Sequence, residues 1–215
     1  MAAKENNKRR YRGRTPEQLR TERRERLLAT ALELFCERGY NNSPIELLCS
    51  TARVTTRHFY EQFASREALL KALFHQIVEQ TLKNLAAEID IDSTDVNERI
   101  SRSIHAGVDF LTEDPRRARI LCLETVGVSP QMEASRREVI HAFARVISRY
   151  AKQMSELGAL PKRDYYLPAL AIVGAVQELL IEWLLGDTGL DADGLAREMV
   201  LIFRALAIGS QRYSG

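Results

Sequence analysis

The amino-acid sequence predicts an all-α protein of about nine helices joined by short connections. Three observations carry this. Apolar residues recur at spacings of three and four over long stretches, as on amphipathic helices. A capping side chain followed by proline opens several of those stretches. Strand-like alternation of apolar and polar residues is absent throughout. The 215 residues, 45% apolar and 28% charged, suit a soluble chain of one or two domains with a substantial core.

Residues 1–14 (MAAKENNKRRYRGR) hold six cations, Lys4, Lys8, Arg9, Arg10, Arg12 and Arg14, against Glu5, and show no apolar periodicity. This composition predicts a flexible basic arm. Thr15-Pro16-x-Gln18 is a capping box that opens the first helix. Leu27, Leu28, Ala31, Leu34 and Phe35 mark its buried face, and Arg20, Arg23, Arg24 and Arg26 lie near its start. Gly39 fits a left-handed C′ position, with Tyr40 packing back on the last turn. Ser43-Pro44-x-Glu46 then reads as a capped helix with proline at its first position. Thr55 caps the next helix and Ser65 the one after. Leu69, Leu70, Leu73, Phe74, Ile77, Val78, Leu82 and Leu85 make that one long, up to a polar break at 90–95 (DIDSTD). Asp114-Pro115 and Ser129-Pro130 repeat the cap-then-proline start. Further helices span about 130–156, 164–185 (ending at Gly186) and 191–210.

The stretch 43–67 is the part with a chemical reading. Two short helices joined by a tight turn, the second showing small, basic and hydroxyl side chains, suit reading of the DNA major groove. Thr55, Thr56, Arg57, His58 and Tyr60 form the candidate reading set, while Phe59 and Phe63 fall on the buried side. Ser43, Thr55 and Ser65 either cap alone or also mark helix N-termini that favour phosphate oxygens. Arg12 and Arg14, flanking Gly13, suit an arm that enters the minor groove, or a solvated tail. Charge supports the reading. Through Lys71 there are 15 Lys/Arg against 9 Asp/Glu, and beyond it 16 against 20, although the whole chain is only +2.

Other functions find little in the sequence. Cys36, Cys49 and Cys122 cannot all pair and read as reduced, buried thiols of a cytoplasmic protein. His105, Cys122 and His141 lack metal-site spacing, and neither a cofactor nor a metal is expected. No nucleophile–base constellation or phosphate-cradling glycine loop points to an enzyme. The N-terminus has no signal-peptide core, and the apolar run 167–181 reads as too short and too polar to span a membrane.

With these residues in view, the chain resembles the tetracycline-repressor (TetR) family of bacterial transcription regulators. The resemblance covers about residues 20–75: LLATALELFCERGY with Phe35, Gly39 and Tyr40; SPIELLCSTARVTTRHFYEQF with Phe59, Tyr60 and Phe63; and SREALLKALF with Arg66, Glu67 and Leu69. It implies a helix-turn-helix domain over 15–66 and a ligand-binding and dimerisation domain over 67–215. It also implies that the hydroxyl of Tyr60 and the cation of Arg66 reach backbone phosphates. Two residues depart from the family pattern, Arg53 in the turn and Arg57 on the reading helix, where glycine is usual or frequent. The resemblance further implies a homodimer built on the last two helices, with Val173, Val176, Leu180, Leu184, Leu195, Met199 and Phe203 in the interface or in the protomer's own core. An unknown, largely apolar effector would sit among His105, Phe110, Cys122, Phe143, Tyr166 and Gln177. The expected function is a repressor released from a palindromic operator by that effector. The alternative is an all-helical adaptor or co-activator whose helix-turn-helix does not read DNA.

Overall fold

A computed structural model describes residues 15–89, 96–158 and 160–212. The basic arm and the polar break at 90–95 lie outside the described residues. Among these residues there are nine α-helices and no strand. The chain divides into two compact units, one ending at Leu73 and one beginning at Phe74.

The first unit contains α1 (Pro16–Arg38), α2 (Ile45–Ala52), α3 (Thr56–Tyr60) and the opening turns of α4 (Arg66–Ile89). Thr15 and Gln18 form the expected capping box: Gln18 N–H donates to Thr15 Oγ1 at 3.2 Å, and Thr15 N–H to Gln18 Oε1 at 2.7 Å. Thr55 caps α3 and Ser65 caps α4 through the N–H groups of His58 and Ala68. The Ser43 box does not form. Pro44 is the N-cap of α2, and the Ser43 hydroxyl turns inward to donate to the carbonyls of Leu34 and Gly39 at 3.1 and 2.9 Å. Gly39 has φ 79° and ψ 156°, an extended mirror-side conformation rather than the left-handed helical one expected. Tyr40 does pack back, its ring centroid 5.4 Å from that of Phe35. Leu27, Ala31, Phe35, Leu48, Phe59, Leu69 and Leu70 are fully buried and form the unit's core.

The α2–α3 turn rests on Arg53, at φ 52° and ψ 45°, the one non-glycine residue with positive φ among the described residues. Its N–H donates to Ser50 O at 3.2 Å, which closes the helix. A side chain in this region costs on the order of 1 kcal/mol. Arg53→Gly is therefore expected to stabilise the protein by about 0.5–1 kcal/mol in chemical denaturation, although glycine's larger unfolded-state entropy offsets part of the relief. A destabilised variant would show that the arginine side chain holds the turn.

The second unit continues α4 and adds α5 (Val96–Glu113), α6 (Pro115–Arg119), α7 (Pro130–Glu156), α8 (Tyr166–Leu185) and α9 (Ala192–Arg212). Asp114 and Ser129 cap α6 and α7 as their sequence pattern predicts. The Arg116 guanidinium beside Asp114 holds its carboxyl below the ordinary range. The stability this adds is present above the unfolded carboxyl pKa and lost as pH falls through the lowered one. Helix α6 runs directly into one π-helical turn, Ile120–Glu124, a form that recurs at functional sites. α7 packs on α8, and α9 on α5 and α8.

Helix α8 corrects one expectation. At 20 residues with mean hydropathy 1.6, it is long and apolar enough to cross a membrane by length and composition, because the helix extends past Ile181 through Leu184 and Leu185. Only 17% of that window is buried within the chain, so much of its apolar surface is uncovered.

Candidate nucleic-acid interface and ligand cavity

Helix α3 presents two faces. Phe59 is fully buried and meets Phe63, centroids 5.9 Å apart, which fixes the helix against its unit. Thr55, Thr56 and Arg57 are exposed, Tyr60 is 56% exposed, and His58 is half-buried. The candidate reading residues therefore share the outward side of one short, anchored helix. Thr55 is doubly engaged, its Oγ1 accepting from His58 N–H and lying 2.9 Å from His58 Nδ1.

Two candidate phosphate contacts, Ser43 and Arg66, have partners within the chain. Ser43 has no exposed surface and spends its hydroxyl internally, so it braces the connection and reaches no phosphate. Arg66 lies with its guanidinium 4.1 Å from the Tyr40 ring centroid, and its Nη1 donates to Asn41 O and Ser43 O at 3.2 and 3.4 Å. It ties the start of α4 to the α1–α2 connection and keeps its positive charge beside the reading helix's unit. Ser65 remains an exposed cap, and Arg12 and Arg14 lie outside the described residues.

Glu61 was not foreseen. Its carboxylate sits 3.4 Å from Arg57 Nε and 4.0 Å from His58 Nε2, so it holds the most exposed cation of the reading face. The signal was present, since Arg57 and Glu61 are four apart on a helical segment. On the DNA reading, the carboxylate would compete with DNA for Arg57. Glu61→Gln is expected to raise affinity for duplex DNA two- to fivefold at low salt, in the range of an exposed ion pair. Unchanged or weakened binding in a fluorescence-anisotropy titration would show that Glu61 instead positions Arg57. Arg20 and Gln62 brace α1 to the end of α3, Arg20 Nη2 donating to Glu61 O and Gln62 Nε2 to Arg20 O.

The second unit encloses a cavity of about 310 Å³. Its wall is almost wholly apolar and comes from α4 (Phe74, Thr81, Leu85), α5, the π turn, α7, α8 and α9. On α7 the lining positions run Arg136, Val139, Ile140, Phe143, Val146, Ile147, Tyr150, Ala151 and Met154, one continuous helical stripe. Gly107 lets α4 and α5 approach closely, since a Cβ there would lie 2.8 Å from Leu85 Cδ2.

Cys122, Phe143 and Gln177 line the cavity as expected. Burial pushes the Cys122 thiol up to about 12, so it is a neutral lining group rather than a nucleophile. The other three expected liners lie elsewhere. His105 sits on the α9 side of α5, with Nδ1 2.8 Å from Ser101 O and Nε2 3.7 Å from Asp193 Oδ1. Phe110 lies under the Arg117 guanidinium at 4.3 Å and borders a separate, shallow hollow. Tyr166 pairs with His141, hydroxyl to Nδ1 2.8 Å, while its neighbour Tyr165 faces the cavity. One residue on a helix is a rotation of about 100°, enough to move a side chain off the wall.

The residues expected in the dimer interface or the protomer's own core fall mostly on the second alternative within the single chain. Val173, Val176, Leu180, Met199 and Phe203 line the cavity, and Leu195 is fully buried in the protomer. Of that set only Leu184, half-buried, lies off the cavity wall without being core. Helix α8 is apolar nearly all round, so its periodicity could not separate the inner face from the outer one. The outer face carries Leu167 (71% exposed), Ala171, Gly174, the exposed Glu178 and Leu185, and α9 adds Leu201. A Cβ on Gly174 would meet nothing within 4 Å.

An anchored short helix with an outward polar face and an apolar cavity in one all-helical chain suit a ligand-responsive DNA-binding transcriptional regulator. Residues 27–73 match the family model described as bacterial regulatory proteins, tetR family. It is similar to the HTH-type transcriptional regulator YdgC of Bacillus subtilis (strain 168), 28% identical over 88% of this chain and 95% of that protein. It is also similar to the HTH-type transcriptional activator FasR of Mycolicibacterium smegmatis, 25% identical over 81% of this chain and 78% of that protein. Among solved structures, the transcriptional regulator FadR from Bacillus subtilis in complex with stearoyl-CoA shares the fold, with a TM-score of 0.75 and 18% identity over 86% of this chain and 98% of that one.

Proposed function

We propose that this chain is a homodimeric, cytoplasmic repressor that leaves a two-fold operator when a long-chain acyl ligand fills its cavity. The observation that carries the ligand reading is the cavity wall, long, apolar and interrupted by few polar groups. The relation to FadR, whose structure holds stearoyl-CoA, supports an acyl ligand in particular. Helix α4 supports the coupling, because it carries Arg66 at its start and Phe74, Thr81 and Leu85 in the cavity wall. Ligand and DNA would then favour different states of one element, and the response is limited by the ligand's differential affinity for those states. About 1.4 kcal/mol changes operator affinity only tenfold, so useful release needs two to three times that.

The uncovered outer face of α8 and Leu201 of α9 supports a second copy as the partner. Replacing Leu167 and Leu185 together by Glu is expected to give a monomer in analytical ultracentrifugation and to weaken operator binding more than about tenfold, since two half-sites would no longer act together. A dimer that persists places the interface elsewhere.

The DNA reading is tested by selecting duplexes from a random pool and titrating the best one against salt. Log affinity should fall linearly with log salt, by about 0.9 per phosphate contact. Thr56 or Arg57 substitutions should relax preference at single positions, and Tyr60→Phe should weaken all duplexes alike. A pool that yields no enriched duplex overturns the reading and returns the adaptor alternative.

A further inference from the structure

The cavity wall contains one conspicuous unpaired polar atom. The polar groups around it are mostly committed: Thr81 Oγ1 donates to Ile77 O, Ser103 Oγ to Leu85 O, and Tyr165 hydroxyl to Pro161 O. Arg136 Nη1 is held by Glu133 at 2.8 Å. Tyr150 also lines the cavity, and its hydroxyl is buried with no hydrogen-bond partner among the described residues. The neighbouring Arg99 has a buried Nε in the same condition, and its charge acts on the Tyr150 phenol, partly opposing the rise that burial causes. Leaving a buried donor unsatisfied is costly, so the arrangement suits a site completed by something absent from the chain itself.

Position says which part of a ligand belongs there. Arg136 and Tyr150 stand 14 residues apart on the lining stripe of α7, about 21 Å at 1.5 Å per residue. An extended chain of roughly 16–18 carbon atoms spans that distance at about 1.2 Å per bond. The two ends differ chemically. At one, the cation is already neutralised by Glu133, beside the protonated thiol of Cys122. Toward the other, the Tyr150 hydroxyl and, behind the wall, the Nε of Arg99 have no acceptor among the described residues.

We propose that Tyr150 is the hydrogen-bond donor that receives the acyl carbonyl of the ligand, with Arg99 as a supporting cation, so that the chain's methyl end points toward Cys122 and Arg136. This rests on the acyl reading above and adds to it an orientation and a polar anchor. The shared chemistry is an acyl oxygen, supplied either by a free fatty-acid carboxylate or by an acyl thioester. Arg99 favours the carboxylate more strongly than the thioester, because it adds a full charge interaction to the hydrogen bond.

The test is calorimetric titration of wild type, Tyr150→Phe and Arg99→Gln with stearate and, separately, with stearoyl-CoA. Tyr150→Phe should weaken binding of both by roughly tenfold. Its ligand-free melting temperature should stay level or rise, because the unsatisfied hydroxyl is gone. Arg99→Gln should weaken stearate more than stearoyl-CoA. Wild-type-like binding by Tyr150→Phe, with wild type binding normally, overturns the anchor and leaves the acyl reading standing. A lowered ligand-free melting temperature in Tyr150→Phe also counts against it, since the hydroxyl would then serve the fold. Failure of wild type to bind either compound overturns both the anchor and the acyl reading.

Discussion

Phe59→Ala is expected to cost 3–5 kcal/mol and to abolish DNA binding, although Phe59 touches no DNA. The side chain is fully buried, and its ring faces those of Tyr60 and Phe63 at 5.4 and 5.9 Å. Helix α3 has five residues, too few to be stable alone, so this anchor and the Thr55 cap supply its order. Removing a buried aromatic loses its transfer free energy and leaves a void that a small unit cannot collapse around. That loss is a large part of the 5–15 kcal/mol by which typical domains are stable. Chemical denaturation and hydrogen exchange of the first unit would measure it. Tyr60→Phe is the control, since it keeps the ring and should leave stability within about 0.5 kcal/mol. A Phe59→Ala protein with wild-type stability would contradict the view that α3 is held by this contact.

Val176→Trp is expected to give a DNA-binding protein that no longer responds to ligand. Val176 lies in the α8 wall, and an indole there would occupy a large part of the 310 Å³. Overpacking a filled core costs about 1–3 kcal/mol, but here the added volume enters existing space, so the net change in stability should be smaller. The outer face of α8 is untouched, so dimerisation should persist. The comparison to make is operator affinity with and without stearoyl-CoA for wild type and variant. A variant that is still released by the ligand would show that the effector binds outside the cavity.

The elements were largely legible, for local reasons. Thr15, Thr55, Ser65, Asp114 and Ser129 each cap the helix that their spacing announces. Ser43 failed because the same hydroxyl had two buried carbonyls to satisfy, a tertiary demand that outweighs a local cap. The outward side of α3 was legible too, since α3 is short and the apolar residues Phe59 and Phe63 mark the buried side. The Arg57–Glu61 pair was legible in its i,i+4 spacing as well, although Glu61 was not foreseen.

The cavity was legible only in part. Cys122, Phe143 and Gln177 lie in its wall, whereas His105, Phe110 and Tyr166 do not. On α5 and α8 a single-residue error in helical phase separates wall from outside. Val173, Val176, Leu180, Met199 and Phe203, expected in the interface or in the protomer's own core, line the cavity, because a cavity and a protein interface ask for the same residue types. Tyr150 carried no signal, since its meaning lies in the hydrogen bond it lacks.

The central claim is that filling the cavity loosens the grip on DNA. The direct measurement is the affinity of the purified protein for its best selected duplex, at fixed salt, with and without saturating stearoyl-CoA. The account predicts a fall of at least about tenfold, abolished in Val176→Trp and requiring about tenfold more ligand in Tyr150→Phe. An affinity that is the same with and without ligand, while calorimetry shows the ligand bound, would contradict it.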